Sequence, residues 1–105
     1  MNLSILYVTC KDKEQALQIG RVLVQEKFAG CVNILENMTS IYPWKGEIEV
    51  SSEAILLVKT FDSQLESARK KILELHSYEI PCILTIPVSN ADQEYLDWLR
   101  INIGI

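Results

Sequence analysis

The residues of this chain best suited to binding a metal are three cysteines and one histidine: Cys10, Cys31, Cys82 and His76. Thiolate and imidazole ligands together favour copper(I) or zinc. No two of the cysteines form a C-x-x-C pair, which argues against a zinc finger or a thioredoxin-type redox site. The sequence therefore offers four candidate ligands without a motif that groups them.

Whether these side chains meet depends on the secondary structure, which hydrophobic periodicity and turn residues predict. Strands are expected at residues 3–9, 31–42, 47–60 and 83–88, and helices from 12 to about 27, from 63 to 75, and after Asn90 or Asp92. The long central hairpin is expected to turn at residues 43–46. This βαββαβ order with an extra C-terminal helix predicts an α+β, ferredoxin-like sandwich.

Two sequence signals mark the starts of the long helices. Asp12 is followed three residues later by Gln15, and Ser63 is followed at the same spacing by Glu66. Both pairs resemble a capping box, in which the side chain of each residue of the pair hydrogen-bonds to the backbone N–H of the other residue. The first helix is therefore predicted to be capped at Asp12 and the second at Ser63.

The predicted sheet has the strand order 4-1-3-2, with strands one and three expected to run parallel. The C-terminal ends of these strands would then lie beside the N-terminal ends of strands two and four. This places Cys10, Cys31 and Cys82 on one rim of the sheet, with Thr60 between them and His76 in the connection into strand four. A copper or zinc site is one interpretation. The other is that the cysteines are small buried apolar side chains.

The length of 105 residues predicts a single domain spanning residues 1–105, since there is no linker and no internal repeat. Residues 3–8 and 54–58 are mostly apolar at successive positions, which is typical of strands buried on both faces. The two long helices can cover only one face of the sheet. The other face is expected to be covered by another copy of the chain, or alternatively by the third helix.

Charge and hydropathy argue against several functions. The net charge of −4 and the absence of a Lys/Arg cluster disfavour nucleic-acid binding. No apolar run approaches the ~18 residues of a membrane span, and the N-terminus does not resemble a signal peptide. A cytoplasmic protein without a membrane partner is expected. The single histidine and the lack of a nucleophile-elbow sequence predict that it is not an enzyme.

Two further groups of charged residues have both a functional and a plain interpretation. Glu47, Glu49 and Glu53 alternate along one strand and would share one face. They form either a patch for a hard cation or a solvated strand edge. Lys59, at the end of strand three, is either a donor to a phosphate or carboxylate ligand or a surface lysine.

Several segments along nearly the whole chain resemble the CutA family. They are residues 29–33, 40–49, 57–60, 78–81 and 95–99, together with Glu53 and His76. The resemblance implies a ferredoxin-like homotrimer whose long hairpins pair between subunits, an architecture similar to the PII signalling proteins. It also implies tolerance of divalent cations, copper in particular, with no established enzymatic reaction.

The resemblance also implies metal ligands around Cys31 and His76. Three positions depart from the family pattern: Ser77 replaces a frequent Pro, Cys82 stands where Glu is common, and Cys10 matches no familiar family cysteine. The predicted ligand set is therefore Cys31, His76, Cys82 and Cys10. No cofactor is certain, and copper or another divalent cation is the candidate.

The alternative function is a PII-like trimeric regulator that binds a small anionic ligand in clefts between subunits, whereas a purely structural trimer would bind neither metal nor metabolite. Trp44 and Trp98 are expected to be packing or interface anchors, because no basic groove surrounds them. Lys59 is the candidate donor to an anion. The candidate interface or cleft residues are Tyr42, Trp44, Glu53, Lys59, Tyr78 and Trp98.

Overall fold

The structure, a computed structural model, describes residues 2–105 and shows an α+β fold. In chain order the elements are β1 (Leu3–Cys10), α1 (Lys13–Gln25), β2 (Cys31–Trp44), β3 (Glu47–Phe61), α2 (Asp62–Leu75), β4 (Ile83–Pro87) and α3 (Gln93–Ile103). The four strands form one antiparallel sheet in the order β2-β3-β1-β4. Within residues 2–105, none of the helices combines the length and apolarity needed to cross a membrane.

The centre of the sheet is the pairing of β1 with β3. Leu3 lies opposite Phe61 and Cys10 lies opposite Ala54, so the two strands run antiparallel. The predicted strand order is confirmed, but the predicted parallel direction of strands one and three is wrong. The crossover through α1 keeps β2 parallel to β1, and the β2–β3 hairpin then reverses the chain. β3 must therefore oppose β1.

The helices α1 and α2 cover one face of this sheet. Each strand contributes every second residue to this face, as expected for the two-residue period of a β-strand. The fully buried core includes Leu6, Val8, Leu56 and Val58 from the sheet and Ile19, Leu23 and Ile72 from the helices. This layer joins the central strands firmly to the two long helices.

The third helix covers only one end of the opposite face. Leu99 and Ile103 of α3 pack against Leu3 and Phe61. The approach is close at Gly30, where a Cβ would lie 2.6 Å from Leu99 Cδ2. Elsewhere on this face large apolar side chains remain exposed, among them Leu35, Leu84 and Ile86.

The central hairpin extends well beyond the helices. Its register shifts between Leu35 and Met38, and beyond that point lies the far half of the hairpin, residues 38–53. The strands reach residues 44 and 47, so the turn is shorter than predicted. Its two central residues, Lys45 and Gly46, both have positive φ, of 51° and 81°. That geometry is typical of a two-residue hairpin turn. Because the hairpin extends beyond the helices, Ile41 and Ile48 are about 70% exposed.

The N-cap of α1 is the predicted one, and the N-cap of α2 is not. The Gln15 N–H donates to Asp12 Oδ1 at 2.9 Å, which confirms the predicted cap of α1. α2 begins at Asp62, with Phe61 at the N-cap and no side-chain hydrogen bond, so the predicted Ser63 cap is wrong. The helix follows directly on a strand whose last residue is buried.

Truncating the buried contact between α3 and the sheet should destabilise the protein far more than truncating a neighbouring exposed residue. Leu99 is 0% exposed and Ile101 is 76% exposed. We expect Leu99→Ala to lower the free energy of unfolding by about 2–5 kcal/mol and Ile101→Ala by about 0.5 kcal/mol or less. Urea unfolding at fixed protein concentration measures both. Equal losses would show that α3 is not docked through Leu99.

Candidate functional site

The loop of residues 76–82 is attached to the sheet through the ring of His76. Its Nε2 atom lies 2.7 Å from the carbonyl oxygen of Thr9, and the backbone N–H of Tyr78 donates to Nδ1 at 3.1 Å. Because Nδ1 accepts a hydrogen bond, the ring proton belongs on Nε2, which donates to Thr9. Both ring nitrogens are thus engaged inside the chain, and a metal could bind His76 only by displacing one of these bonds.

Two more contacts hold this loop. Gln15, a buried residue of α1, donates from Nε2 to Ser77 Oγ at 2.6 Å and accepts from the Lys11 N–H at 2.9 Å. The Thr9 N–H donates to the carbonyl oxygen of Cys82 at 3.3 Å. The loop is therefore fastened to α1 and to β1.

Tyr78 connects the loop to the far half of the hairpin. Its hydroxyl donates to Glu53 Oε2 at 2.6 Å, and its ring centroid lies 4.8 Å from that of His76. Partial burial, the hydrogen bond to Glu53 and the charge of that carboxylate raise the pKa of Tyr78 well above its ordinary value. The phenol therefore stays protonated, and remains a donor, to a more alkaline pH than an ordinary tyrosine would.

A pocket of about 720 Å³ lies between this loop and the far half of the hairpin, and we call it the hairpin pocket. No Lys, Arg or His is among the residues of the described chain, 2–105, that line it. Its walls are aromatic, apolar, thiol and carboxylate groups. The lining residues that bear on ligand binding are Tyr42, Trp44, Tyr78, Glu53, Glu79 and Cys82.

Four of the six predicted interface or cleft residues, Tyr42, Trp44, Glu53 and Tyr78, line this pocket. The structure does not bring the other two, Lys59 and Trp98, to it.

Those two residues are grouped instead around Tyr95 of α3. Lys59 Nζ lies 3.1 Å from the Tyr95 hydroxyl oxygen, and the ring of Trp98 stacks on that of Tyr95 with centroids 5.8 Å apart. The predicted cleft residues therefore belong to two separate places in the fold.

The predicted single rim of cysteines is not observed. Cys10 is the last residue of β1, and Cys82 directly precedes β4, whose first residue pairs with β1 near that same end. Cys31 instead lies opposite Lys59, toward the other end of the sheet. Thr60, opposite Ser4, is at the Cys31 end as well. The antiparallel direction of β3 is the physical reason, because it moves the β2 start away from the end of β1.

The two cysteines at the His76 end differ in chemistry. Cys10 is fully buried, and this burial raises the pKa of its thiol from 9.0 to about 11, with the charges of Asp12 and Glu53 adding to the effect. A thiol that keeps its proton is a poor metal ligand. Cys82 is exposed and lines the hairpin pocket.

The described part of the chain does not form a complete metal site by itself. Across residues 2–105, no group of three or more His, Cys, Asp or Glu side chains is arranged to hold an ion. The donors that share the hairpin pocket are the Cys82 thiol and the carboxylates of Glu53 and Glu79. Any metal bound there needs further ligands from solvent or from a second chain.

Sequence reasoning did not single out Glu79, Ser77 or Gln15 as site residues. Glu79 lines the pocket, and the Gln15–Ser77 hydrogen bond fixes the loop that carries it. The available signal for Glu79 was its place in the 78–81 segment beside Tyr78. Gln15 carried only a helix-cap signal, since its second partner is 62 residues away.

Comparison with known proteins places this geometry in a family. A model of the family described as CutA1 divalent ion tolerance protein matches residues 4–102. The chain belongs to this family. The recognition made from sequence segments alone is thereby confirmed.

Relatives in the family are similar along most of the chain. The divalent-cation tolerance protein CutA of Thermus thermophilus is 40% identical over 100 residues, which cover 95% of this chain and 97% of the relative. The human protein CutA is 35% identical over 99 residues, which cover 94% of this chain. The chain spans about 55% of the human relative's length and 53–65% of several other eukaryotic relatives.

Solved structures of the family share the fold. The crystal structure of CutA1 from Ehrlichia chaffeensis superposes with a TM-score of 0.96 at 34% identity, covering 99% of this chain and 97% of that one. CutA from Xylella fastidiosa gives a TM-score of 0.94 at 37% identity, covering 98% and 99%. The α+β arrangement with one antiparallel sheet is therefore that of the family.

The raised pKa of Cys10 predicts a pH dependence of stability. Between pH 9 and about 11 the unfolded thiol loses its proton while the folded one retains it, so stability falls as pH rises. We expect the free energy of unfolding of the wild type, relative to Cys10→Ala, to fall by about 1–2 kcal/mol between pH 8 and 10.5. The Cys82→Ala variant keeps Cys10 and should therefore lose stability over this pH range as the wild type does. A pH-independent difference for Cys10→Ala would contradict the prediction.

Proposed function

We propose that the protein acts in divalent-cation tolerance as a homotrimer that binds a metal cation at the hairpin pocket, without catalysis. The observation that carries this proposal is the composition of the pocket, where an exposed thiol and two carboxylates occur without a basic side chain. Thiolate and carboxylate donors suit copper and zinc ions. The family to which the chain belongs supports the same function.

The homotrimer is supported by apolar surface that one chain leaves open. The sheet face opposite α1 and α2 exposes Leu84 and Ile86, and the far half of the hairpin exposes Ile41, Ile48 and Val50. Large apolar side chains exposed in such numbers are typical of an interface. A long edge strand with free backbone groups also favours pairing with another chain. The number three rests on the family resemblance.

The assembly can be tested with two variants of equal exposure. Ile86 on the open sheet face is 45% exposed and Leu73 on α2 is 44% exposed. The wild type is expected to have the mass of three 12.0 kDa chains by light scattering after size exclusion. Ile86→Lys should dissociate it, because a charge would be buried in the interface, whereas Leu73→Lys should leave the mass unchanged.

A monomeric wild type would overturn the homotrimer, as would an Ile86→Lys variant that keeps the full mass. If Leu73→Lys dissociates the assembly and Ile86→Lys does not, the interface lies on the helical side and the open sheet face is not the contact. Circular dichroism of each variant shows whether it is folded.

Among the predicted metal ligands, Cys82 is the one that the geometry favours. It is exposed, it lines the hairpin pocket, and Glu53 and Glu79 line the same pocket. Cys10 is buried with a protonated thiol, His76 uses both ring nitrogens, and Cys31 lies at the other end of the sheet. We infer that a second subunit completes the coordination, since one chain offers too few donors. Three free thiols suit a reducing, cytoplasmic location.

Metal binding can be measured by titrating the reduced protein with copper(I) against a competing chelator, and with zinc in parallel. We expect Cys82→Ser to lose binding, because it removes the accessible soft ligand. Cys31→Ser is the matched control and should bind as the wild type does. Binding that persists in Cys82→Ser, or that is lost in Cys31→Ser, would place the metal elsewhere.

The anionic-ligand alternative has less support. Its candidate donor, Lys59, is paired with Tyr95 away from the hairpin pocket. The carboxylates of the pocket would repel an anion.

A ferredoxin-like classification, which we also propose, is supported by the strand order β2-β3-β1-β4 and the element order βαββαβ followed by α3.

A further inference from the structure

The size of the hairpin pocket suits a small organic molecule better than a bare ion. Its volume of about 720 Å³ falls in the range of roughly 300–1,000 Å³ found for small-molecule sites. A metal ion held by Cys82 and one or two carboxylates would leave most of this space, including the wall formed by Trp44 and Ile80, without contacts.

The charges on the pocket walls select the sign of the ligand. Glu53 and Glu79 both line the pocket, and none of its lining residues, all within 2–105, is basic. The Tyr78 hydroxyl donates to one oxygen of Glu53, so this carboxylate is held in place and keeps acceptor capacity on its second oxygen. A cation entering the pocket therefore meets an oriented carboxylate.

The aromatic walls select the kind of cation. Tyr42, Trp44 and Tyr78 line the pocket together, and the face of an aromatic ring attracts a cation through its quadrupole. An ammonium group of the chain itself, Lys45 Nζ, lies 5.7 Å from the centroid of Trp44. A cation of the chain itself therefore already lies near the Trp44 ring, and a ligand in the pocket would share this ring with Lys45.

We propose that the hairpin pocket binds a small organic ammonium ligand, a quaternary or protonated amine, held between the Tyr42, Trp44 and Tyr78 rings and the carboxylates of Glu53 and Glu79. This goes beyond the proposed metal function, because it requires neither a metal nor the Cys82 thiol. The lining residues come from one chain, so each subunit carries all of the side chains that this site uses.

The charge of the ligand can be tested with a pair of probes of the same shape. Choline and its neutral isostere 3,3-dimethyl-1-butanol differ in the charge at one atom. We expect choline to bind at least about tenfold more tightly, at constant ionic strength and with a chelator present. Saturation-transfer NMR of the methyl protons measures both. Equal affinities, or no saturable binding of choline, would overturn the proposal.

The place of binding can be tested with variants on two walls of the pocket. Trp44→Leu removes an aromatic face and Glu79→Gln removes a charge with little change of shape. Each is expected to weaken choline binding about fivefold or more. In a Trp98→Phe background, Trp44 is the remaining tryptophan, and its fluorescence should change on saturation with choline. Choline binding unchanged in both Trp44→Leu and Glu79→Gln would overturn the assignment to this pocket.

The Cys82→Ser variant separates this proposal from the metal function. It should bind choline as the wild type does while losing copper(I), whereas Trp44→Leu should bind copper(I) normally. Failure of metal binding in every variant would leave the ammonium result standing. Light scattering of each variant checks the assembly. If Trp44→Leu changes the mass, the isosteric Glu79→Gln variant decides.

Discussion

The antiparallel pairing of β1 with β3 is the constraint on which the rest of the molecule depends. It fixes Cys10 opposite Ala54 at one end and Leu3 opposite Phe61 at the other. β2 and β4 are then added on either side, and the two long helices cover the face that carries Leu6 and Val8. Which residues can meet at a site follows from this direction. His76, Cys10 and Cys82 are near one end of the sheet, and Cys31 and Lys59 are near the other.

Much of the architecture is readable from the sequence because local signals and periodicity agree. The apolar run of β1, the Asp12–Gln15 cap and the turn residues near Gly46 each act over a few residues, and all three features are present. The predicted cap of α2, Ser63, lies two residues after the observed N-cap, because the helix begins directly after the buried Phe61 and no side chain marks its start. Such a junction is set by packing rather than by a cap.

The candidate site was harder to predict, and for a different reason. The sequence shows which residues are candidate ligands. Which of them lie close together depends on the relative directions of strands that are far apart in the sequence. A hairpin reverses the chain and a crossover preserves direction, so the antiparallel β1–β3 pairing was available in principle. Side-chain contacts such as Gln15 to Ser77 or Tyr78 to Glu53 join residues 62 and 25 positions apart. No local pattern encodes them.

The far half of the hairpin contributes both to the exposed apolar surface of the chain and to the hairpin pocket. It has few contacts with the helices, and it exposes apolar side chains such as Ile41 and Ile48. The same segment supplies Tyr42, Trp44 and Glu53 to the pocket. One wall of the pocket is therefore held by the firmly anchored loop of residues 76–82, while the other is an extended ribbon. An isolated two-stranded ribbon is only marginally stable in water. Contacts that cover its apolar residues would also hold the pocket wall in position, so assembly and ligand affinity would be thermodynamically coupled.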